Sequence, residues 1–351
     1  MAIDVVRERL ANQFLSGPRL SGPVEVVRRQ GAVQAQDYIG AKWAVGMRTL
    51  SATHADIEQA VARGDILRTH VLRPTWHFVL PEDIRWMLAL TGPRIARAMA
   101  SYNKKMGLTP AVFRRSNAVI EKALRDGAHL TRVELGEILR RERVRETSGT
   151  RLAHMMMNAE LEAIVCSGAC RGNKFTYGLL DLRAPSAPAI DRDEALSRLA
   201  DRYFTTHGPA TVHDFSWWSG LSVSDARRAV EIRGKALRKI EVGSAALWMV
   251  ERDTPAESPK GTAHLLQNYD EYFIGHRDRS AIGRRLKGVG LVTGGDSSIT
   301  HVAIVGGELV GGWKRMPTTT GITAKLSLTA RVTKDERALL ERERARFAAF
   351  F

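Results

Sequence analysis

Cysteine is nearly absent: Cys166 and Cys170 are the two in 351 residues. Four-residue spacing with no His-x-x-His companion makes a weak zinc case, and two buried thiols in a reducing cytoplasm fit better. No apolar run reaches the roughly 18 residues a membrane span needs, so none is expected. The first residues, Met1-Ala-Ile-Asp-Val-Val-Arg-Glu-Arg9, carry charge where a signal peptide needs an apolar core, so no secretion is expected. P-loop, dinucleotide fingerprint and zinc-protease helix are all missing, which leaves no motif for a nucleotide, nicotinamide or metal cofactor.

An acidic balance is missing too. The formal net charge is +15 and the pI about 10.2, with 12 lysines beside 41 arginines. Such a balance points to a polyanionic partner, most often nucleic acid. Arginine and alanine enrichment also follows from genome base composition, and basic proteins include ribosomal and membrane-surface ones. Apolar residues make up 44% and charged residues 26%, as in a soluble globular protein, and the length allows about two or three domains.

The coarse pattern is mainly helical with β-structure. Helices are expected over residues 3–15 and from Pro23 to a stop at Gly31, where Ser21 or Gly22 caps and proline suits the first helical position. A short helix follows, burying Trp43, and then one capped by Thr53. Residues 66–80 read as two strands interrupted at Pro74, a ribbon with Arg68, His70, Arg73 and His77 on a basic face. Helices followed by such a ribbon outline a winged helix. Further helices are expected from Pro81, with breaks at Gly92-Pro93 and near Gly107–Pro110. Thr131-Arg-Val-Glu134 is a capping box. A basic connection over 140–151 leads to a methionine-rich helix and a second possible wing near 163–166 and 174–179. Residues 184–189 are a linker by composition. Residues 210–232 give the clearest helix-turn-helix, with Ser222-Val-Ser-Asp225 opening its second helix and Arg227 and Arg228 on it. Beyond residue 237 short strands and glycines (Gly261, Gly275, Gly294-Gly295, Gly311-Gly312) suggest a small barrel or curled sheet. Its clearest hairpin is Thr300–Val305 and Glu308–Trp313 about Gly306-Gly307. A capped helix from Thr333 ends the chain.

The segment of most chemical interest is Gly31-Ala-Val-Gln34-Ala-Gln36-Asp37-Tyr38. If extended, it places Gln34 and Gln36 on one side and Asp37 on the other; if helical, the glutamines diverge. On spacing alone, Gln-Ala-Gln is a common surface tripeptide.

Four stretches in order resemble the AlkZ-type winged-helix DNA glycosylases of bacteria. They are Gly31–Tyr38, Arg73-Pro-Thr-Trp-His-Phe78, His207-Gly-Pro-Ala-Thr-Val-His-Asp-Phe-Ser-Trp-Trp-Ser-Gly-Leu221 and Tyr269-Asp-Glu-Tyr272. The resemblance implies tandem winged-helix units followed by a small β-barrel-like domain. The units fall at residues 1–108, 109–187 and 188–236, and the β-domain with its terminal helix at 237–351. It implies a catalytic glutamine–apolar–glutamine motif at Gln34 and Gln36, with Asp37, Thr75 and His77 in supporting places. It also implies excision of N7-alkylated purines from double-stranded DNA, with crosslink unhooking in some members. The sister branch carries aspartate in the second motif position; here it is Gln36. Arg68, Arg73, Arg227 and Arg228 are the candidate DNA contacts. No metal, cofactor or membrane partner is expected, and the chain is expected to act as a monomer in the cytoplasm, at the nucleoid. A non-catalytic winged-helix DNA-binding protein or regulator is the alternative.

Overall fold

The computed structural model describes residues 3–145, 147–184, 186–252, 255–286, 301–319 and 321–351; the expected Gly294-Gly295 punctuation and Thr300 lie outside them. The chain forms two compact units. Unit 1 comprises Met1–Ile57, Ser197–Trp218 and Ser222–Phe351; unit 2 comprises Glu58–Leu196 and Ser219–Leu221.

In chain order, unit 1 begins with α1 (Val5–Asn12), α2 (Pro23–Gln30), the two-residue strand β1 (Val33–Gln34) and α3 (Tyr38–Gly46). Helix α4 (His54–Arg63) leads into unit 2, and its N-terminus is held by Thr53 and Asp56, whose side chains bond at 2.8 Å. The first helix is shorter than 3–15, because the Asp4 carboxylate accepts from the Val6 and Arg7 N–H groups and fixes its start. Helix α2 starts at Pro23 with Gly22 as its cap, and ends where Gly31 takes φ +76°. A Cβ there would come within 3.0 Å of Arg202 Cβ, so glycine suits both the conformation and the space.

Unit 2 runs β2 (Leu67–His70), β3 (Trp76–Val79), α5 (Pro81–Lys105), α6 (Pro110–Leu124), β4 (Leu130–Thr131), α7 (Arg132–Arg141), α8 (Gly149–Leu161), β5 (Val165–Ser167), β6 (Thr176–Leu179) and α9 (Leu180–Arg183). Strands β2 and β3 form an antiparallel ribbon, with Thr69 opposite His77. The expected break at Gly92-Pro93 is absent: α5 continues through Pro93. Buried Met87, Leu88, Leu90 and Thr91 before the proline and Ile95 after it hold the helix in register, and the Thr91 hydroxyl donates to the Met87 carbonyl at 2.8 Å. Burial on both sides outweighs the one hydrogen bond that proline removes. Strands β4, β6 and β5 form a sheet in that order, and α6, α7 and α8 enclose a core of Ile120, Leu124, Leu135, Leu139, Met155 and Val165. The Thr131 capping box is complete, starting α7 directly from β4. Cys166 is buried, with its thiol pushed up to about 12 by desolvation, whereas Cys170 is only half-buried, in a loop.

The chain returns to unit 1 along α10 (Arg192–Thr206), followed by α11 (Val212–Ser219) and α12 (Val223–Arg233), the latter capped by Ser222 as its sequence suggests. Strands β7 (Arg238–Val242) and β8 (Ala245–Met249) make a hairpin. Then come β9 (Ala263–Leu266), the short helix α13 (Glu271–Ile274), β10 (His301–Val305), β11 (Glu308–Pro317), β12 (Ile322–Leu328) and α14 (Lys334–Phe350).

No closed barrel is found among the described residues. The C-terminal strands form an open antiparallel sheet in the order β12-β11-β10-β9. One reason is α14: it packs on this sheet with Phe347 and Phe350 buried, so a helix covers the apolar face that closure would have hidden. The glycine hairpin forms at Gly306-Gly307, and a register shift between Ala303 and Ile304, opposite Leu309 and Gly311, curls the pair.

Candidate active site

The glutamine segment lies between the stop of α2 and the start of α3. Of the extended and helical alternatives the segment takes the extended one, but the strand is only two residues long, so the alternation that would set Gln34 and Gln36 side by side does not persist. Gln34 is 4% exposed and Ala35 fully buried, whereas Gln36 lies in the bend before α3 and is exposed. Asp37 caps α3: its carboxylate accepts from the Gly40 N–H at 3.2 Å and from both Arg315 nitrogens, at 3.0 and 2.7 Å. A Cβ on Gly40 would meet Asp37 Oδ2 at 2.5 Å and Gln267 Cβ at 2.9 Å, so only glycine lets the cap close this tightly.

Gln34 is fixed from behind by a carboxylate 237 residues further along. Its backbone N–H donates to Glu271 Oε1 at 2.8 Å. The other oxygen, Oε2, accepts from Trp218 Nε1 at 2.7 Å and faces His207 Nε2 at 3.3 Å. Glu271 is 1% exposed and His207 and Trp218 are fully buried. Water cannot solvate that carboxylate, so the N–H groups around it must carry its charge. The residues on either side of Glu271 are held as firmly. Asp270 makes a two-pronged pair with Arg48 at 2.8 Å for each contact, and the Tyr272 hydroxyl donates to the Gly307 carbonyl at 2.8 Å. Burial raises the Tyr272 pKa and keeps the phenol a donor. The result is a rigid floor under the strand that carries Gln34.

His207, Trp218 and Glu271 lie within stretches that carry the family resemblance, but nothing in the sequence assigns those side chains a role. A glutamate followed by an aromatic residue is no signal in itself; the groups that meet it stand 237, 64 and 53 residues away.

Beside the cap, His301 is 3% exposed, accepts from the Asn268 N–H at 3.3 Å and lies tilted against Trp313 with ring centroids 4.5 Å apart. Desolvation first, and the Arg315 charge second, lower its pKa to about 4 against the opposing pull of Asp37. It is neutral at pH 7.

The other candidates lie elsewhere. Arg227 and Arg228 are exposed on α12 in unit 1. In unit 2, Arg68 is 8% exposed, its guanidinium lying over the Trp76 ring at 4.4 Å and the Phe175 ring at 4.7 Å. Arg73 and Thr75 are half-buried, and His77 is buried with Nδ1 3.0 Å from the Thr75 carbonyl. His70 is also buried, its Nδ1 against Glu160 Oε2. The basic face expected of the β2–β3 ribbon is therefore not a row of exposed charges: two of its four groups are buried histidines and Arg68 is stacked on aromatics. Among the described residues no group of three or more His, Cys, Asp or Glu side chains is placed to hold a metal, and no helix is long and apolar enough to cross a membrane.

A model of the DNA glycosylase AlkZ-like family matches residues 27–350, and the chain belongs to that family. The interstrand DNA cross-link repair glycosylase of Streptomyces sahachiroi is 26% identical over 324 residues, covering 87% of this chain and 85% of its own. The solved structure of the Streptomyces sahachiroi DNA glycosylase AlkZ superposes with a TM-score of 0.80 at 22% identity, over 99% of this chain and 96% of that one, and shows the same fold.

Proposed function

We propose that this protein is a monofunctional DNA repair glycosylase of the glutamine–apolar–glutamine branch. It hydrolyses the N-glycosidic bond of cationic N7-alkylated purines in double-stranded DNA, crosslinked purines included. The observation that carries the reading is the fixing of Gln34 by buried Glu271, which leaves Gln36 exposed immediately before α3. A regulator has no use for so rigid a support under a glutamine pair.

The chemistry follows from what an amide can do. An N7-alkylpurine already carries positive charge, so its bond to C1′ is weakened and it leaves without an acid. What remains is to hold a water at C1′ and to stabilise the cationic sugar that develops. Gln34 and Gln36 together position the water, Gln36 from the exposed side and Gln34 from the inner wall of the site. Glutamine has no useful pKa and cannot serve as a general base. Asp37 is engaged by Arg315 and the α3 N-terminus, which supports a structural role for it. Thr75 and His77 are supporting residues. Arg73, Arg227 and Arg228 contact phosphates, and Arg68 orders the aromatic side of its wing. A crosslinked base is tied to both strands and cannot be flipped, so such a substrate is attacked while still stacked.

The order α6-β4-α7-α8-β5-β6 around one core supports reading residues 109–187 as a winged-helix unit. The β2–β3 ribbon and the α11–α12 pair support two further units, in 1–108 and 188–236. The charge of +15 supports a monomer working at the nucleoid.

The deciding experiment is release of 7-methylguanine from methylated plasmid, read as alkali-labile abasic sites. No release by the folded protein overturns the assignment. Single-turnover assays on uracil and hypoxanthine duplexes should show no excision. Removing the charge from the leaving base raises the barrier, and each 1.4 kcal/mol slows the reaction about tenfold. Borohydride should trap no enzyme–DNA adduct; an adduct would mean lyase chemistry.

A further inference from the structure

In a winged helix the third helix commonly enters the DNA groove. In unit 2 that helix is α8, and it packs against α5, α6, α7, β2 and β5. Beyond Gly149 and Thr150 none of its residues is exposed. The element that would read a duplex is covered within its own unit, so whatever this unit binds must meet another surface.

That surface is a cleft of about 680 Å³ between the β5–β6 hairpin and the start of α7. Four cations line it, Arg68, Arg132, Arg171 and Lys174, together with the aromatic rings of Trp76, Phe175 and Tyr177. Its one carboxylate, Glu134, is occupied: it closes the α7 capping box and pairs with Arg171. Those bonds, the Thr131 backbone first and Arg171 next, hold its pKa at about 2. Phe175 is 45% exposed, an unusual position for a phenylalanine. Arg68 stacks between Phe175 and Trp76, which stiffens the ring from one side. A second cavity of about 950 Å³ shares Arg132 with the first and adds Arg140 on α7, Arg143 and Arg145 just beyond it and one carboxylate, Glu137, so the net positive lining continues along α7 and past its end.

We propose that this cleft binds an unpaired segment of single-stranded DNA, with one base stacked on Phe175 and its phosphates running over Arg132, Lys174 and the arginines of α7. The argument is one of complementary chemistry. Cations spaced along a track with an exposed, braced aromatic ring are what single strands use, through phosphate contacts and sequence-tolerant stacking. A volume of this order holds one or two nucleotides and excludes a duplex. The proposal rests on the DNA partner of the preceding section and not on its glycosidic chemistry. In that setting the cleft would retain bases unpaired beside a lesion.

The test uses the full chain, a labelled oligothymidylate and a matched duplex, with binding read by fluorescence anisotropy. Phe175→Ala should weaken oligothymidylate binding about tenfold, within the range for losing one stacked base. Its duplex affinity and 7-methylguanine release should remain at wild-type level. An Arg132→Glu, Lys174→Glu double variant should lower oligothymidylate affinity and flatten its salt dependence. Both sets of substitutions alter exposed side chains, and circular dichroism should report unchanged folding. Oligothymidylate binding that ignores both variants overturns the site. So does an equal loss on duplex, which would make the cleft part of the duplex footprint, or equal competition by free ATP, which would make it a nucleotide pocket. Absence of binding to any DNA would overturn this proposal and the DNA partner together; excision with no Phe175-dependent oligothymidylate binding would overturn this proposal alone.

Discussion

Each unit hides a glutamate that gathers a tryptophan indole and a histidine. In unit 1, Glu271 takes Trp218 and His207; in unit 2, Glu160 takes Trp76 at 3.2 Å and the His70 ring. Both carboxylates are 1% exposed. Taken as a list of residue types, the two clusters are the same. They differ in what the carboxylate does next. Glu271 reaches the backbone of Gln34, whereas Glu160 joins α8 to the β2–β3 ribbon. A buried carboxylate–histidine–tryptophan cluster is thus first a way of ordering polar groups in a core, and on the proposed function it bears on catalysis only through the Gln34 segment that Glu271 holds.

The sharpest break of this comparison is at the glutamines. Gln36→Ala and Gln34→Ala should each lower single-turnover excision about 10²–10³-fold at saturating enzyme, with DNA affinity nearly unchanged, because positioning a water acts on the transition state. Next come the two glutamates. Glu271→Gln and Glu160→Gln should each destabilise the fold by about 1–3 kcal/mol, since an amide cannot serve the same donors. Only Glu271→Gln should also slow excision per folded molecule, by roughly tenfold if Gln34 loosens. Equal slowing by Glu160→Gln, measured alongside urea unfolding, would erase the distinction between the clusters.

A smaller effect is expected at the cap. Asp37→Asn should reduce excision only a few-fold. If it abolishes excision while both glutamine variants stay active, the catalytic role belongs to the carboxylate.

The pH dependence follows from His301. Its folded pKa, about 4, lies below the ordinary imidazole value of 6.5, so between those values the unfolded chain binds more protons. The stability it contributes is fully present above pH 6.5 and is lost as pH falls toward 4. His301→Gln should flatten that limb of a thermal-melting profile, and an unchanged slope would assign it to other groups. The smallest effects belong to α12: Arg227→Ala and Arg228→Ala should each reduce the slope of log affinity against log salt by about one, with no change in excision at low salt.

Local signals were legible wherever a local rule was sufficient. The Ser222 cap, the Thr131 and Thr333 capping boxes and the Gly306-Gly307 hairpin all form as their sequences indicate. Failures came where distant packing decided. Pro93 sits inside a helix because apolar residues on both sides of it are buried, and α14 covers a sheet that glycine spacing alone would have closed. The glutamine motif was legible as a motif, but its geometry was not. Gln34 is buried and Gln36 exposed because the Asp37 cap turns the chain after two strand residues, and the anchor at Glu271 is invisible to any reading of neighbours.

The aromatic residues of α14 add a matter of timing. Trp43, in the helix that follows the glutamines, meets Phe347 at 5.2 Å and Phe350 at 5.3 Å, and Arg346 donates to the Met47 carbonyl at 2.9 Å. During synthesis, chains tend to fold from the N-terminus as they emerge, at about 5–20 residues per second. The contiguous stretch Glu58–Leu196 of unit 2 can follow that order. Helix α3 cannot: its partners on α14 lie about 300 residues further along, so the glutamine segment waits for that much chain to leave the ribosome. Until then the nascent protein holds its most chemically particular segment unsupported, and a ribosome stalled before Phe347 would carry a folded middle and an unfinished site.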